Sequence, residues 1–509
     1  MNRRHFLGFT GMAAAGSAAQ VSDRQTSSGD GRFRAGFAER DITPAIGMEQ
    51  PGGYGKAYLR SFHDPCKIRA VVFDDGSKRV ALVGIDALII PRDVVTAARK
   101  QIHERCGIEQ SAILAGASHS HSSGPVGMVL PGEYDHASPL VRKLAYEHSS
   151  MADPGYLLRV QTEISNAVFE ADRTRGEAAC AFGSGSEKEV AFNRRFRMKN
   201  GLTYTHPGQG NPEIVEIAGP IDPEVGVIGA WNQDGKLLGC LVHYACHATT
   251  SPGGISANWI YYLEKMIRGA FGQDAVVVFL QGFCGDITQV NNLSPHAQPT
   301  GDQYARLVGG RVGAEAVKVL LSAAPGVAVP VEARTTLLRI PRRVASPEKV
   351  RRSLEVVQKD PKDVGITNWV FAKETVMLDA LLTKAKDVEV EVQAVQVGPA
   401  VFVTAPGEMF CQLGLDIKKG SQFRFTYPVE LANGSAGYVP TEEALGRHGG
   451  GYETRLTSYS NLVPPAGRQM VEAGVALVRG LTPGSVPEPP KARPFKEPWS
   501  YGNVPPEVS

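Results

Sequence analysis

The chain has no Cys-x-x-Cys pair. Its seven cysteines, Cys66, Cys106, Cys180, Cys240, Cys246, Cys284 and Cys411, are scattered and odd in number. A disulfide framework is therefore not implied, although one bridge stays open to a protein in an oxidising compartment. There is no Gly-x-Gly-x-x-Gly fingerprint and no Walker loop, so dinucleotide and nucleoside-triphosphate chemistry have no support. An excess of one charge sign is missing too. The 54 Lys and Arg against 52 Asp and Glu leave a formal net charge of +2, with no long basic run, which excludes nucleic acid as a partner on electrostatic grounds. No apolar run is long enough to span a bilayer, so no integral membrane segment is expected. No helical stretch is both strongly basic and strongly apolar, as interfacial binding would require. Repeats of solenoid length are absent.

What remains is a globular composition over 509 residues, enough for one large or two medium domains. Asn2-Arg3-Arg4-His5-Phe6-Leu7 is a twin-arginine pair followed by Phe-Leu, and residues 8–19 are small and end Ala-rich. Residues 1–25 are thus read as a twin-arginine-type signal peptide, which implies a periplasmic or secreted protein. Residues 20–32 are Ser-, Gly- and Asp-rich and predict disorder. Structure is expected from Phe33.

Residues 68–73 and 80–85 read as a β-hairpin around Asp74-Asp75-Gly76. Residues 91–106 carry Val94, Ala98 and Ile102 at helical spacing. The small apolar run 112–117 predicts a buried strand, and 156–171 a helix. The hairpin pattern returns at 225–231 and 237–243, followed by a helix at 259–270, a strand at 275–280 and a helix at 304–321. Val388-Glu389-Val390-Glu391-Val392 alternates as a strand with one wet face, and 400–404 returns after Gly398-Pro399. Such alternation of strands and helices predicts an α/β fold with mixed β-sheets flanked by helices. Residues 481–509 form a Pro-rich tail that is expected to wrap the body.

The most informative stretch is Ser118-His119-Ser120-His121-Ser122-Ser123-Gly124-Pro125, directly after the strand at 112–117. Side chains at i and i+2 of a strand share a face, so both imidazoles can converge on one metal or substrate. A polar loop that happens to hold two histidines is the plain alternative. Four further segments have the look of loops at strand ends. They are Asn193-Arg194-Arg195, His247-Ala248-Thr249, Gln281 to Asp286, and Pro406-Gly407-Glu408 together with Gly437-Tyr438-Val439.

In this order, with Gly52-Gly53-Tyr54-Gly55 ahead of them, these motifs resemble the catalytic domain of the neutral (non-lysosomal) ceramidases. The family shows T-H-T-H-S-G-P, N-R-S, H-A-T, Q-S-N-x-G-D, P-G-E and G-Y-V segments. The match spans about residues 33–480, nearly all of the chain after the leader. The resemblance implies a zinc hydrolase that cleaves an amide (N-acyl) bond with a metal-activated water. It implies His119, His247, Glu408 and Tyr438 as the Zn2+ ligands, with His121, Arg194 and Tyr438 as catalytic groups; spacing alone would allow either His119 or His121 to ligate. Two imidazoles, a carboxylate and a phenol suit zinc. Asp286 is expected to orient a ligand histidine or to cap a helix, and His243 to be a core histidine. The expected partner is a small-molecule or lipid-like substrate, and composition assigns no oligomeric state.

The chain departs from the family pattern at several points. The family serine of Q-S-N-x-G-D is Gly282, and glycine replaces it neither as nucleophile nor as donor. The Asn-rich stretch after H-A-T is Ser251-Pro252-Gly253-Gly254, and the acid of I-S-x-D is Asn258. The C-terminal immunoglobulin-like domain of the ceramidases is not expected here. Two rival readings follow. In one, the same zinc site acts on an ester, lactone or glycan; in the other, the protein binds metal and has lost catalysis.

Overall fold

In a computed structural model of the chain, residues 33–494, 499–502 and 504–509 are described. The leader at 1–25 and the link at 20–32 fall outside them. Within the described residues one motif is built three times. Strands Lys67–Asp74 and Arg79–Ile85 form an antiparallel hairpin. Helix Arg92–Cys106 then crosses over, and strand Ile113–Ala117 returns parallel to the second hairpin strand. Glu224–Trp231, Leu237–Tyr244, helix Trp259–Phe271 and Val276–Gln281 repeat this order. So do Asp387–Val397, Ala400–Thr404, helix Cys411–Gly420 and Phe425–Val429. A parallel return needs a crossover, and a short helix is the usual way to make one.

The first unit is widened by Arg34–Asp41 and Gly176–Glu177 into a five-stranded sheet. Ala179–Ser186 extends the second sheet and Val331–Pro341 the third, to four strands each. The returning strands Ile113–Ala117, Val276–Gln281 and Phe425–Val429 are buried at every residue, as is Ala400–Thr404. Burial on both faces is why their sequences are continuous apolar runs rather than alternating ones. Asp387–Val397 alternates only over its first half; from Gln393 onward it is buried throughout.

Helices cover the outer faces. Arg92–Cys106 buries Val94, Val95, Ala98 and Ile102, and Pro154–Thr174 buries Val160, Ile164, Ala167, Val168 and Ala171. Gly301–Ser322 packs along Trp259–Phe271. A satellite layer joins Pro139–His148 to Ile366–Lys384 through Leu144, Trp369 and Met377. None of the helices among the described residues is long and apolar enough to cross a membrane. All seven thiols are unbridged. The tail lies against the body at its start, where Gly484 N–H donates to the Gly398 carbonyl at 3.0 Å and Val486 packs on the core.

The three sheets meet edge to edge and face to face. Gly116 bridges to Ala432, Gly282 to Val429, and Ser120 to Ala248. The first two sheets approach so closely at Gly84 that a Cβ there would lie 2.3 Å from the Phe279 carbonyl oxygen. Gly84→Ala is therefore expected to lower stability by about 1–3 kcal/mol through overpacking, read as a lower urea midpoint. An unchanged midpoint would mean that the two sheets are free to move apart.

Candidate metal centre

All three units deliver side chains to one place, the region beyond the C-terminal ends of their strands, where α/β sheets commonly hold ligands. His119 and His121 follow Ile113–Ala117, His247 follows Leu237–Tyr244, and Glu408 follows Ala400–Thr404. The expected strand-face argument for the two neighbouring histidines does not hold. The strand ends at Ala117, and His119 sits in a left-handed conformation with φ 61°. That kink, rather than strand alternation, swings its ring toward His121, and their Nε2 atoms are 3.3 Å apart. Gly52 lies against the His121 ring; a Cβ there would sit 2.3 Å from Nδ1.

The tautomers of two rings follow from their partners. His119 Nδ1 is 2.9 Å from the Leu88 carbonyl, and His247 Nδ1 is 2.7 Å from the Cys284 carbonyl. A carbonyl only accepts, so each Nδ1 donates and each Nε2 presents a bare lone pair. Those two Nε2 atoms lie 3.2 and 3.3 Å from one oxygen, Oε2 of Glu408. This oxygen is buried and has no hydrogen-bond partner, whereas Oε1 accepts from the Tyr459 hydroxyl at 2.8 Å. A buried carboxylate oxygen with no donor of its own thus faces two ring nitrogens, an arrangement that a cation satisfies. The ligand atoms of His119, His121 and His247 all lie within 4.8 Å of one another, so this group could hold a metal. The residues present fit a divalent cation, and backbone carbonyls on the far ring nitrogens are the usual support for ligand histidines.

Without a cation the cluster must share protons. Burial pushes His119 down, but the Glu408 carboxylate outweighs it and the net shift is upward. His247 falls to about 3 through burial and the nearby Arg194 and His119 charges. Burial would raise Glu408, yet His119 and His247 hold it well below the usual carboxylate range. His121 is held low by burial and then by the other two histidines.

Arg194 is buried and joins the remaining groups. It donates to Glu453 at 2.7 Å, to the Gly285 carbonyl at 2.8 Å and to the Tyr438 hydroxyl at 3.1 Å. Its Nη1 stands 3.4 Å from His247 Nε2. Tyr438 pairs with Glu408 across a short parallel ladder, which sets both on one side of the cluster. Every residue singled out as ligand or catalytic group is therefore part of one connected set.

Asp286 is not among them. Its carboxylate accepts from Cys411 N–H and from the Asn193 amide, both at 2.8 Å, and touches no histidine. It caps helix Cys411–Gly420 from a distant loop, and carbonyls take the orienting role expected of it. His243 is a core residue: Nε2 is 2.7 Å from the Pro428 carbonyl and the ring stacks obliquely on Tyr427. Asn258, which replaces a family carboxylate, is buried and caps helix Trp259–Phe271, accepting from Trp259 N–H at 3.0 Å. Gly282 has no room for a side chain, since a Cβ would lie 2.9 Å from that of Ala245.

Several residues of the site carry no readable sequence signal. Tyr459 holds Glu408, Glu453 pairs with Arg194, and buried Glu430, pushed up to about 8 by its burial, accepts from Cys284 N–H and Met409 N–H at 2.9 Å. Packing of residues 452–460 against the strand ends gives this segment its role.

No family model matches the chain, and no curated protein matches it. Solved structures do, two of them as follows. One is a neutral ceramidase from Pseudomonas aeruginosa, at 18% identity and TM-score 0.62, covering 90% of this chain and 77% of that one. The other is a ceramidase complexed with C2, also at 18% identity, with TM-score 0.64, covering 90% and 78%. At this identity the likeness speaks to architecture, and it agrees with the motif resemblance: the chain has the neutral ceramidase fold.

Proposed function

We propose that this protein is a zinc-dependent hydrolase that cleaves an amide (N-acyl) bond by attack of an activated water, in a compartment reached through its N-terminal leader. One observation carries the reading: the unpaired, buried Glu408 oxygen facing two imidazole lone pairs inside a ceramidase fold. His119, His247 and Glu408 would hold the cation, with Tyr438 as a fourth ligand. When bound, such an ion supplies a Lewis acid and lowers the pKa of water beside it.

The chain's own groups do the rest. The Leu88 and Cys284 carbonyls keep both ligand rings turned inward. The Tyr459 hydroxyl holds Glu408 through Oε1 and leaves Oε2 free. Arg194 stays charged despite burial, since Tyr438 and Glu453 raise it well above its ordinary value. Its guanidinium suits a carbonyl oxygen that gains negative charge. His121, whose Nε2 stands 3.3 Å from His119 Nε2, would move a proton at the reacting centre.

A second reading has a specific observation behind it. Closure of the protein around Gly282 removes the family's serine hydroxyl together with the space for it. The same centre would then act on an ester, lactone or glycan. A panel of N-acyl, ester and glycoside substrates separates the two, and turnover of the N-acyl members alone supports the first.

Elemental analysis of purified protein is expected to find one zinc ion per chain. His119→Ala and His247→Ala should each weaken metal binding by about 100-fold or more and abolish turnover; variants that keep both the ion and full turnover would sink the ligand assignment. Gly282→Ser is expected to lower stability by about 1–3 kcal/mol, seen as a lower melting temperature, without raising amide turnover. A gain of amidase activity on restoring that serine would instead assign the step to its hydroxyl.

A further inference from the structure

A cavity of about 540 Å³ lies between helix Pro347–Val356, helix Ile366–Lys384 and the loop after Tyr452–Thr454. Three cations line it, Lys349, Arg352 and Arg455, and none of its lining residues is acidic. Arg352 has a partner at the rim, Glu348 at 3.5 Å on its own helix. Among the described residues neither Lys349 nor Arg455 has a salt-bridge partner. The Arg455 guanidinium is spread over the face of Phe371, 3.3 Å from the ring centroid, which fixes it without neutralising it. Arg343 holds the loop that carries Arg455, donating to the carbonyls of Thr454 at 3.2 Å and Ser460 at 3.0 Å. Lys349 is pushed down by burial and then by Arg455 and Arg343, the mark of like charges gathered without a counterion. Holding such charges together costs free energy unless something anionic joins them.

The cavity is connected to the metal centre by aromatic rings. Phe371 is 5.8 Å from Tyr54, Tyr54 is 6.2 Å from Tyr452, and Tyr452 is 5.5 Å from Tyr438, centroid to centroid. The loop that supplies Arg455 also supplies Tyr459, the partner of Glu408. One segment of the chain therefore contributes to both sites.

We propose that this cavity binds an anionic group, a carboxylate or a sulfate ester, at the far end of an extended substrate whose scissile bond lies at His119, His247 and Glu408. The bound group would satisfy Lys349 and Arg455 through charge-assisted hydrogen bonds, and flat or saccharide portions of the chain would lie along the tyrosines. This deepens the hydrolase reading and rests on it for the identity of the substrate. A neutral long-chain amide leaves the cavity's charges unmet and is the poorer ligand.

The test has two arms. In the first, inorganic sulfate is titrated calorimetrically into the protein as purified. Saturable binding, weakened about tenfold or more in a Lys349→Gln/Arg455→Gln double variant and kept in Arg455→Lys, is the expected result. Both positions are solvent-accessible, and circular dichroism checks the fold of each variant. No binding, or binding unaltered in the double variant, overturns the proposal. In the second arm, N-acyl substrates matched in length are compared with a terminal sulfate and with a neutral hydroxyl. The double variant is expected to raise KM about tenfold on the sulfated member, with the change in kcat far smaller. Equal KM for sulfated and neutral substrates in the unaltered protein means a site for a free anion and overturns the substrate assignment. Sulfate binding lost in the double variant, with no hydrolysis of any substrate, supports the anion site and counts against the hydrolase reading alone.

Discussion

One unfilled contact organises the centre of this molecule: the Glu408 oxygen that meets the lone pairs of His119 and His247 and no donor. Burying a carboxylate oxygen against two ring nitrogens, with no donor of its own, is unfavourable unless a positive charge sits among them. The surroundings hold the arrangement in place. Two carbonyls hold the far nitrogens of the rings, and a tyrosine holds the other carboxylate oxygen. Arg194 ties Tyr438 and Glu453 to the same cluster. Each of these bonds removes an alternative geometry in which the acceptors could turn away.

The fold makes that contact possible by repetition. Three hairpin–helix–strand units point the ends of their strands at a common region, and each contributes to the centre from the loop beyond a strand. The returning strands are buried on both faces, so the cost of moving any one of them is the cost of opening the core. Close approaches such as that of Gly84 to the Phe279 carbonyl bring the sheets near enough for loops of different units to touch. The pairing of Ser120 with Ala248 joins the loops of His119 and His247 directly.

The site also extends beyond the reacting groups. The segment from Tyr452 to Tyr459 reaches from an exposed, cation-lined cavity to the buried carboxylate. Charge that is unneutralised at one end and a candidate cation site at the other give the surface between them a direction. A substrate that matched both ends would be bound by electrostatics far from the bond it presents for cleavage, where binding contributes to orientation.

Much of this was legible in the residues alone. The hairpins at 68–85 and 225–243 and the helices at 91–106, 156–171 and 259–270 follow from period, turn chemistry and residue type, and the motif loops around 119, 194, 247, 282, 408 and 438 stand out through their resemblance to the neutral ceramidases. The sequence by itself thus determined the α/β class, because that depends on local spacing and side-chain chemistry, while the candidate ligand set came from the motif resemblance to the neutral ceramidases. Tertiary structure alone decided the rest. The left-handed turn at His119, the helix-capping roles of Asp286 and Asn258, the carbonyls that set the imidazole tautomers, and the entry of Tyr459, Glu453 and Glu430 all arise between segments far apart in the chain. The space closed at Gly282 is of the same kind. Such contacts leave no periodicity to read, since a buried polar group is defined by what folds against it and not by its neighbours in sequence.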